Sequence, residues 1–168
     1  KEVKVKAEPL PVVEVETKLG KFQIELFEDD APNTVAHFIY LVERGFYDGL
    51  NFHNKESSAS TRGFIQGGSP TGDSNGELGY YLPDEPSSRK HSRGAVAIAH
   101  IPDQADSGGP QFFICLDDLP QLDGKWTVFG RIVSGQDVAD KMTKGTTMLS
   151  VKLKNKRSHK YTYRTVAK

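Results

Sequence analysis

The sequence predicts a mainly β fold, in which many short strands close into a barrel or pack as a sandwich and two helices cover the open ends. Three observations carry this. Val12–Thr17 and Phe22–Phe27 alternate apolar and polar residues around Leu19-Gly20-Lys21, the pattern of a half-buried hairpin with glycine at its turn. Between Asn51 and Phe129 the apolar segments are short and divided by Gly, Pro, Asp and Ser: Gly63–Gly68, Ala95–Ala99, Gln111–Ile114 and Thr127–Phe129. Helical spacing puts Val35, Phe38, Ile39 and Val42 on one face after Pro32, with Asn33 or Thr34 as cap and Gly45 as stop. A second, short helix is expected over Gln136–Met142, and strands again over Thr147–Leu153 and Tyr161–Val166. Closing such a sheet removes its aggregation-prone edges.

Composition bounds the rest. With 168 residues, 36% of them hydrophobic and no net charge, the chain reads as one folded unit over residues 12–168, preceded by a loose extension over 1–11. No apolar run approaches the ~20 residues of a membrane-spanning helix. A single cysteine, Cys115, excludes an internal disulfide framework and a cysteine zinc cluster. His37, His53, His91, His100 and His159 show no paired ligand spacing, so no metal or other cofactor is expected. A chain that opens on Lys1 reads as a processed or excised piece. Neutrality conceals an asymmetry: residues 141–168 hold nine Lys or Arg and no Asp or Glu, leaving 13 basic against 22 acidic residues before them. Alternation in Val151-Lys152-Leu153-Lys154 favours a strand with one wet face, and folding that balances the two ends, over a nucleic-acid surface.

Asp106-Ser107-Gly108-Gly109-Pro110 is similar to the active-serine signature of chymotrypsin-like proteases, but His100 lies only seven residues upstream and the chain is too short for two barrels. A loop turning into the Gln111–Ile114 strand is the better reading. Gly67-Gly68-Ser69-Pro70-Thr71-Gly72 lacks the Gly-Lys-Ser/Thr that would hold a phosphate. What remains is apolar and amide-rich: Phe52-His53, Gly63–Gly68, Gln111–Ile114 and Leu122–Gly130.

Those stretches, in that order, resemble the cyclophilin family of peptidyl-prolyl cis-trans isomerases. Further matching pieces are Thr17–Gly20, Ala31–Val35, Phe38, Leu41 and Gly45-Phe46-Tyr47-Asp48-Gly49, and the likeness runs over about residues 12–140. The Pro-Asp-Gln-Ala-Asp-Ser turn is closer to bacterial members, so the cytoplasm and, for an exported chain, the periplasm both stay open. The resemblance implies a closed eight-stranded antiparallel barrel capped by two α-helices. It implies a monomer acting without cofactor on proline-containing peptides or unfolded proteins, with no nucleic acid as partner. It makes Phe64, Ile65, Phe113 and Leu122 the proline pocket and Gln66 the residue that hydrogen-bonds the substrate backbone. Ala99-His100 would pair with the peptide, Gln111 would support the groove, and Trp126 would wall the pocket where many relatives have His or Tyr.

Two departures stand out. The catalytic Arg of the family directly follows Phe-His, where this chain has Asn54, and the connection from Asn54 to Arg62 is longer than usual. Arg62, with Lys55 as a weaker candidate, is then the catalytic cation that the sequence offers, against the plainer reading of a solvated loop residue. Gln121 stands where cyclosporin-sensitive relatives carry Trp, so weak or no cyclosporin binding is expected.

Overall fold

Alternation decides which residues meet across the first hairpin. A computed structural model describes residues 8–168, and in it β1 (Val12–Thr17) pairs antiparallel with β2 (Gly20–Leu26) so that Val13 faces Ile24 and Val15 faces Phe22. These side chains are fully buried, while Glu14 and Gln23 share the other face through an amide–carboxylate hydrogen bond of 3.0 Å. Strands β3 (Asn54–Ser58), β4 (Thr61–Gly67), β5 (Ala95–Ile98), β6 (Phe112–Cys115), β7 (Thr127–Ser134) and β8 (Ser150–Asn155) complete one antiparallel sheet, in the order β3-β4-β6-β5-β7-β2-β1-β8.

The expected closure is not made by a ladder, because β3 and β8 end the sheet without pairing to each other. The segments just before them meet instead. Asn51 and Thr147 form an isolated bridge, with Phe52 N–H donating to Thr146 O and Met148 N–H to Leu50 O, both at 2.8 Å.

Every residue of β5 and β6 is buried, unlike those of the hairpin strands. Val96, Ile98, Phe112 and Ile114 point into the main core, and Ala95, Ala97, Phe113 and Cys115 point the other way into a second apolar cluster with Leu119 and Val128. The centre of the sheet is therefore covered on both faces.

Helix α1 (Pro32–Glu43) lays Val35, Phe38, Ile39 and Val42 on the main core, as its spacing predicts. Its cap differs from expectation. Ala31 is the N-cap, and the first N–H groups are held from a distance: Glu85 accepts from Asn33 N–H at 3.0 Å and from Thr34 N–H at 2.6 Å. A carboxylate suits this position because the helix N-terminus carries partial positive charge. At the other end Gly45, at φ +72°, lets its own N–H reach Val42 O and that of Phe46 reach Leu41 O, both at 3.0 Å. Helix α2 (Gln136–Lys141) is close to its predicted span.

The tail departs from prediction. Tyr161–Val166 is not a strand: only Val166 pairs, with Tyr81, while Tyr163 packs its ring on His37 and Tyr40 at 4.9 and 5.3 Å. The basic end meets acidic residues, as the charge asymmetry suggested, through Lys156–Glu43, Arg157–Asp29, His159–Glu28 and Lys168–Glu77. Of the extension, residues 1–7 lie outside the described residues. Residues 8–11 are not loose: Pro11 O accepts from Leu26 N–H at 2.8 Å and Leu10 O from the Asn155 amide at 3.0 Å.

Removing the remote cap by Glu85→Ala is expected to cost about 1–2 kcal/mol of stability, read from urea unfolding. A pH dependence follows from His37, which is buried on α1 with its Nε2 2.8 Å from the Tyr80 hydroxyl. Burial lowers its pKa to about 4, against ~6.5 for an unfolded imidazole. The unfolded chain then binds the extra proton between these values, so stability is fully present above ~6.5 and falls as pH drops toward 4, by on the order of 3 kcal/mol. His53 and His91 are also lowered by burial and act in the same direction, whereas His159 is raised, foremost by its hydrogen bond to Lys160 O, and acts oppositely. Urea midpoints measured from pH 4 to 7 should show the rise, and His37→Gln should flatten it.

Candidate active site

Cross-strand register builds the site on the outward face of the sheet. Gln66 on β4 stands opposite Phe113 on β6 and opposite Asn54 on β3, and Phe113 in turn stands opposite Ala97 on β5. Directly paired residues share a face, so Asn54, Gln66 and Phe113 form one row. Over Gln66 and Phe113, but not Asn54, opens a cavity of about 650 Å³. Of the residues singled out from sequence, Phe64, Gln66, Ala99, His100, Gln111, Phe113, Leu122 and Trp126 line it.

Its apolar end is organised around the Phe113 ring. Phe64 lies 5.4 Å away, Trp126 meets it edge-on at 5.7 Å, and His91 stacks nearly parallel at 5.9 Å. The segment bearing Leu122 and Trp126 is pinned from below by His91, whose backbone N–H donates to Asp123 Oδ1 at 2.7 Å and whose carbonyl accepts from Leu119 N–H at 2.8 Å. Burial holds the His91 imidazole below its ordinary pKa, with the Asp123 carboxylate pulling the other way. Cys115 is buried beneath this cluster, and burial pushes its thiol up to about 12. It is therefore no nucleophile.

The polar end is a chain of amides. The buried Gln111 donates from Nε2 to Gly76 O at 2.8 Å and to Ser74 O at 3.2 Å, and its Oε1 accepts from Gln66 Nε2 at 2.8 Å. This fixes which way the Gln66 amide faces and leaves its oxygen without a partner among the described residues. His100 ties the two lips together: Nδ1 lies 2.9 Å from Ile101 O, Nε2 lies 3.0 Å from Lys125 O, and the ring packs on Trp126 at 4.1 Å.

Two expected residues do not line the cavity. Ile65 is fully buried in the main core, because strand alternation turns it away from the face that Phe64 and Gln66 share. Arg62 lies in a separate depression with Lys55, Asp117 and Asp140. Its guanidinium is 3.9 Å from Asp140, and the Arg62 backbone N–H donates to Asp117 Oδ2 at 2.6 Å. The cause is local. Gly63 sits at φ +64°, where a Cβ would fall 1.7 Å from Glu56 O, and the β3–β4 register shifts beside it. That bulge breaks the alternation that would have set Arg62 on the same face as Phe64. Lys55 is also engaged elsewhere, donating to Met142 O at 2.6 Å.

Ser107 is a loop staple, accepting from Ile101 N–H at 2.9 Å and donating to Gln104 O at 2.8 Å, with no imidazole hydrogen-bonded to it. No cluster of three potential metal ligands occurs among the described residues. Sequence reasoning missed the far wall of the cavity, made by Ser74–Leu78, Tyr80 and Tyr81. These lie on a long irregular segment with no periodicity to read; the Tyr80-Tyr81 pair is its one signal.

The chain is similar to known proteins in sequence and in fold. A family model described as cyclophilin type peptidyl-prolyl cis-trans isomerase/CLD matches residues 12–161. A peptidyl-prolyl cis-trans isomerase of Helicobacter pylori is 43% identical over 142 residues, covering 82% of this chain and 83% of the relative. Peptidyl-prolyl cis-trans isomerase B of Bacillus subtilis is 40% identical over 137 residues, covering 80% and 91%. Among solved structures, a cyclophilin type peptidyl-prolyl cis-trans isomerase of Cryptosporidium parvum, crystallised in the presence of the dipeptide ala-pro, matches with a TM-score of 0.77 at 27% identity, covering 86% of this chain and 99% of that one. With a family model spanning most of its length and relatives near 40% identity on either side, the chain belongs to the cyclophilin-type peptidyl-prolyl cis-trans isomerases.

Proposed function

We propose that the cavity over β4 and β6 isomerises X-Pro bonds of peptides or unfolded proteins, without a cofactor. The observation that carries this reading is the abutment of an apolar cup, Phe64, Phe113, Leu122 and Trp126, on an oriented amide, Gln66. Rotation about the prolyl C–N bond meets a barrier of ~18–20 kcal/mol, because resonance gives that bond double-bond character. No bond needs to be made or broken, so catalysis consists in holding the twisted amide better than either planar form. The cup takes the proline ring by burial and by aromatic contact. The Gln66 amide, locked by Gln111, grips the chain on the carbonyl side so that rotation occurs about one bond. Ala99 and His100 form the lip along which the peptide lies. The two bridged sheet edges at Asn51 and Thr147 support describing the support beneath as a closed barrel.

The weak point is the donor aimed at the prolyl nitrogen, which regains a lone pair as the amide twists. Asn54 occupies the row beside Gln66 and offers a neutral amide in place of a guanidinium. Arg62 lies in a separate depression, its guanidinium 3.9 Å from Asp140 and outside the cavity lining, which supports reading it as a surface residue and not as the substitute. A slow isomerase follows from this. The lack of Lys or Arg among the described residues lining the cavity also favours a second reading, a module that binds proline peptides without turning them over. Gln121, on the 3-10 turn Pro120–Leu122, supports weak or no cyclosporin binding, and a monomer is the assembly proposed.

In a protease-coupled assay on a proline tetrapeptide, the protein should accelerate isomerisation, and Phe113→Ala should lower kcat/KM at least about tenfold with the fold retained by circular dichroism. No acceleration at high enzyme concentration, with peptide still bound, would select the binding module. Asn54→Arg should raise kcat/KM by up to ~10²-fold, while Arg62→Ala leaves it unchanged.

A further inference from the structure

Among the described residues lining the cavity, Glu77 is the one Asp, Glu, Lys or Arg, so of these it sets the formal charge of the far wall. Its carboxylate is paired at 2.8 Å with the ammonium of Lys168, on a segment, here called the tail, that lies beyond the stretch matched by the family model. That tail is seated by more than one contact. Arg164 N–H donates to Asn33 Oδ1 at 2.7 Å, and the Asn33 amide donates to Arg164 O at 3.0 Å. Val166 and Tyr81 exchange backbone hydrogen bonds of 2.7 and 2.8 Å, and the Lys168 ammonium lies 5.2 Å from the centre of the Tyr81 ring. Tyr81 itself lines the cavity. The tail thus grips the wall by its backbone and delivers a cation to Glu77, the single acidic group there among the described residues.

We propose that the segment Tyr163–Lys168 is a specificity element of the groove: seated, it neutralises Glu77 and the groove treats charged and neutral residues flanking proline alike; unseated, it exposes Glu77 and the groove prefers basic peptides. Lys168 and Glu77 are both partly exposed, and an ion pair at such a surface is worth little to stability. Its effect is therefore on ligand choice, where a carboxylate freed inside a partly enclosed cavity attracts a cation more strongly than in open water.

The inference rests on the cavity being the peptide groove, and the experiment separates the two. Two series of proline peptides, carrying either Lys or Gln at each of the two positions on either side of proline, are titrated by NMR against the full chain. The Kd ratio of Gln to Lys peptides should be near one for the unaltered protein. It should rise about three- to fivefold in Lys168→Met at the position that meets Glu77, return to one in Lys168→Met with Glu77→Gln, and shrink as salt is raised. Deletion of residues 163–168 should match Lys168→Met wherever the shortened chain stays folded; the point variant alone suffices if it does not. An unchanged ratio in Lys168→Met, or a raised ratio that survives Glu77→Gln, overturns the inference while leaving the groove intact. Undiminished binding of both series by Phe113→Ala instead overturns the groove reading itself.

Discussion

The middle of the sheet is apolar on both faces, and the site depends on that. A strand with one wet face needs a single core; β5 and β6 need two, because Phe112 and Ile114 point inward while Phe113 and Cys115 point outward. The outward pair has to be covered, and the segment from Leu116 to Trp126 covers it only in part. Where the cover stops, the Phe113 ring remains reachable from the cavity. Core and cavity lining are here one apolar cluster, continuous from the buried Cys115 to the lining Leu122 and Trp126. An aromatic ring braced on three sides can receive a proline without rearranging, which limits the entropy lost on binding.

The polar side of the cavity follows a different logic. Gln111 spends both amide protons on the carbonyls of Ser74 and Gly76, so its oxygen is left to orient Gln66. One buried amide therefore fastens an irregular segment to the sheet and sets the direction of the group that faces the ligand. The same segment reaches α1 through Glu85 and Tyr80, and the tail through Tyr81. Helix, tail and groove wall are held together by contacts that are distant in sequence.

This division explains what the sequence allowed to be read. Strands β1, β2, β5 and β6 were legible because period-two alternation, or its loss in a doubly covered strand, is written in consecutive residues. That Phe64, Gln66, Ala99, His100, Gln111, Phe113, Leu122 and Trp126 would gather at one place was legible through the ordered resemblance, and they line one cavity. Ile65 was misplaced because a list of pocket residues ignores strand parity. Arg62 was misplaced because the bulge at Gly63 changes parity, and only the approach of Glu56 O makes glycine obligatory there. The cap from Glu85 stayed hidden because a carboxylate some fifty residues away leaves no trace near Pro32. The Tyr161–Val166 stretch alternates like a strand, yet Tyr163 packs on α1 and Tyr161 on His159 rather than on a ladder. Alternation reports a two-sided environment and does not name the neighbour.

The placement of Cys115 has a practical consequence. It is the single cysteine of the sequence, sealed within the outer of the two apolar layers with its thiol pushed up to about 12. Oxidants and alkylating reagents reach thiolates in accessible positions, so the native molecule resists them and its groove is insulated from redox chemistry. Any opening that separates the layers exposes that sulfur at once. The chain carries its own clock for such excursions, readable as the rate at which a thiol reagent marks one atom.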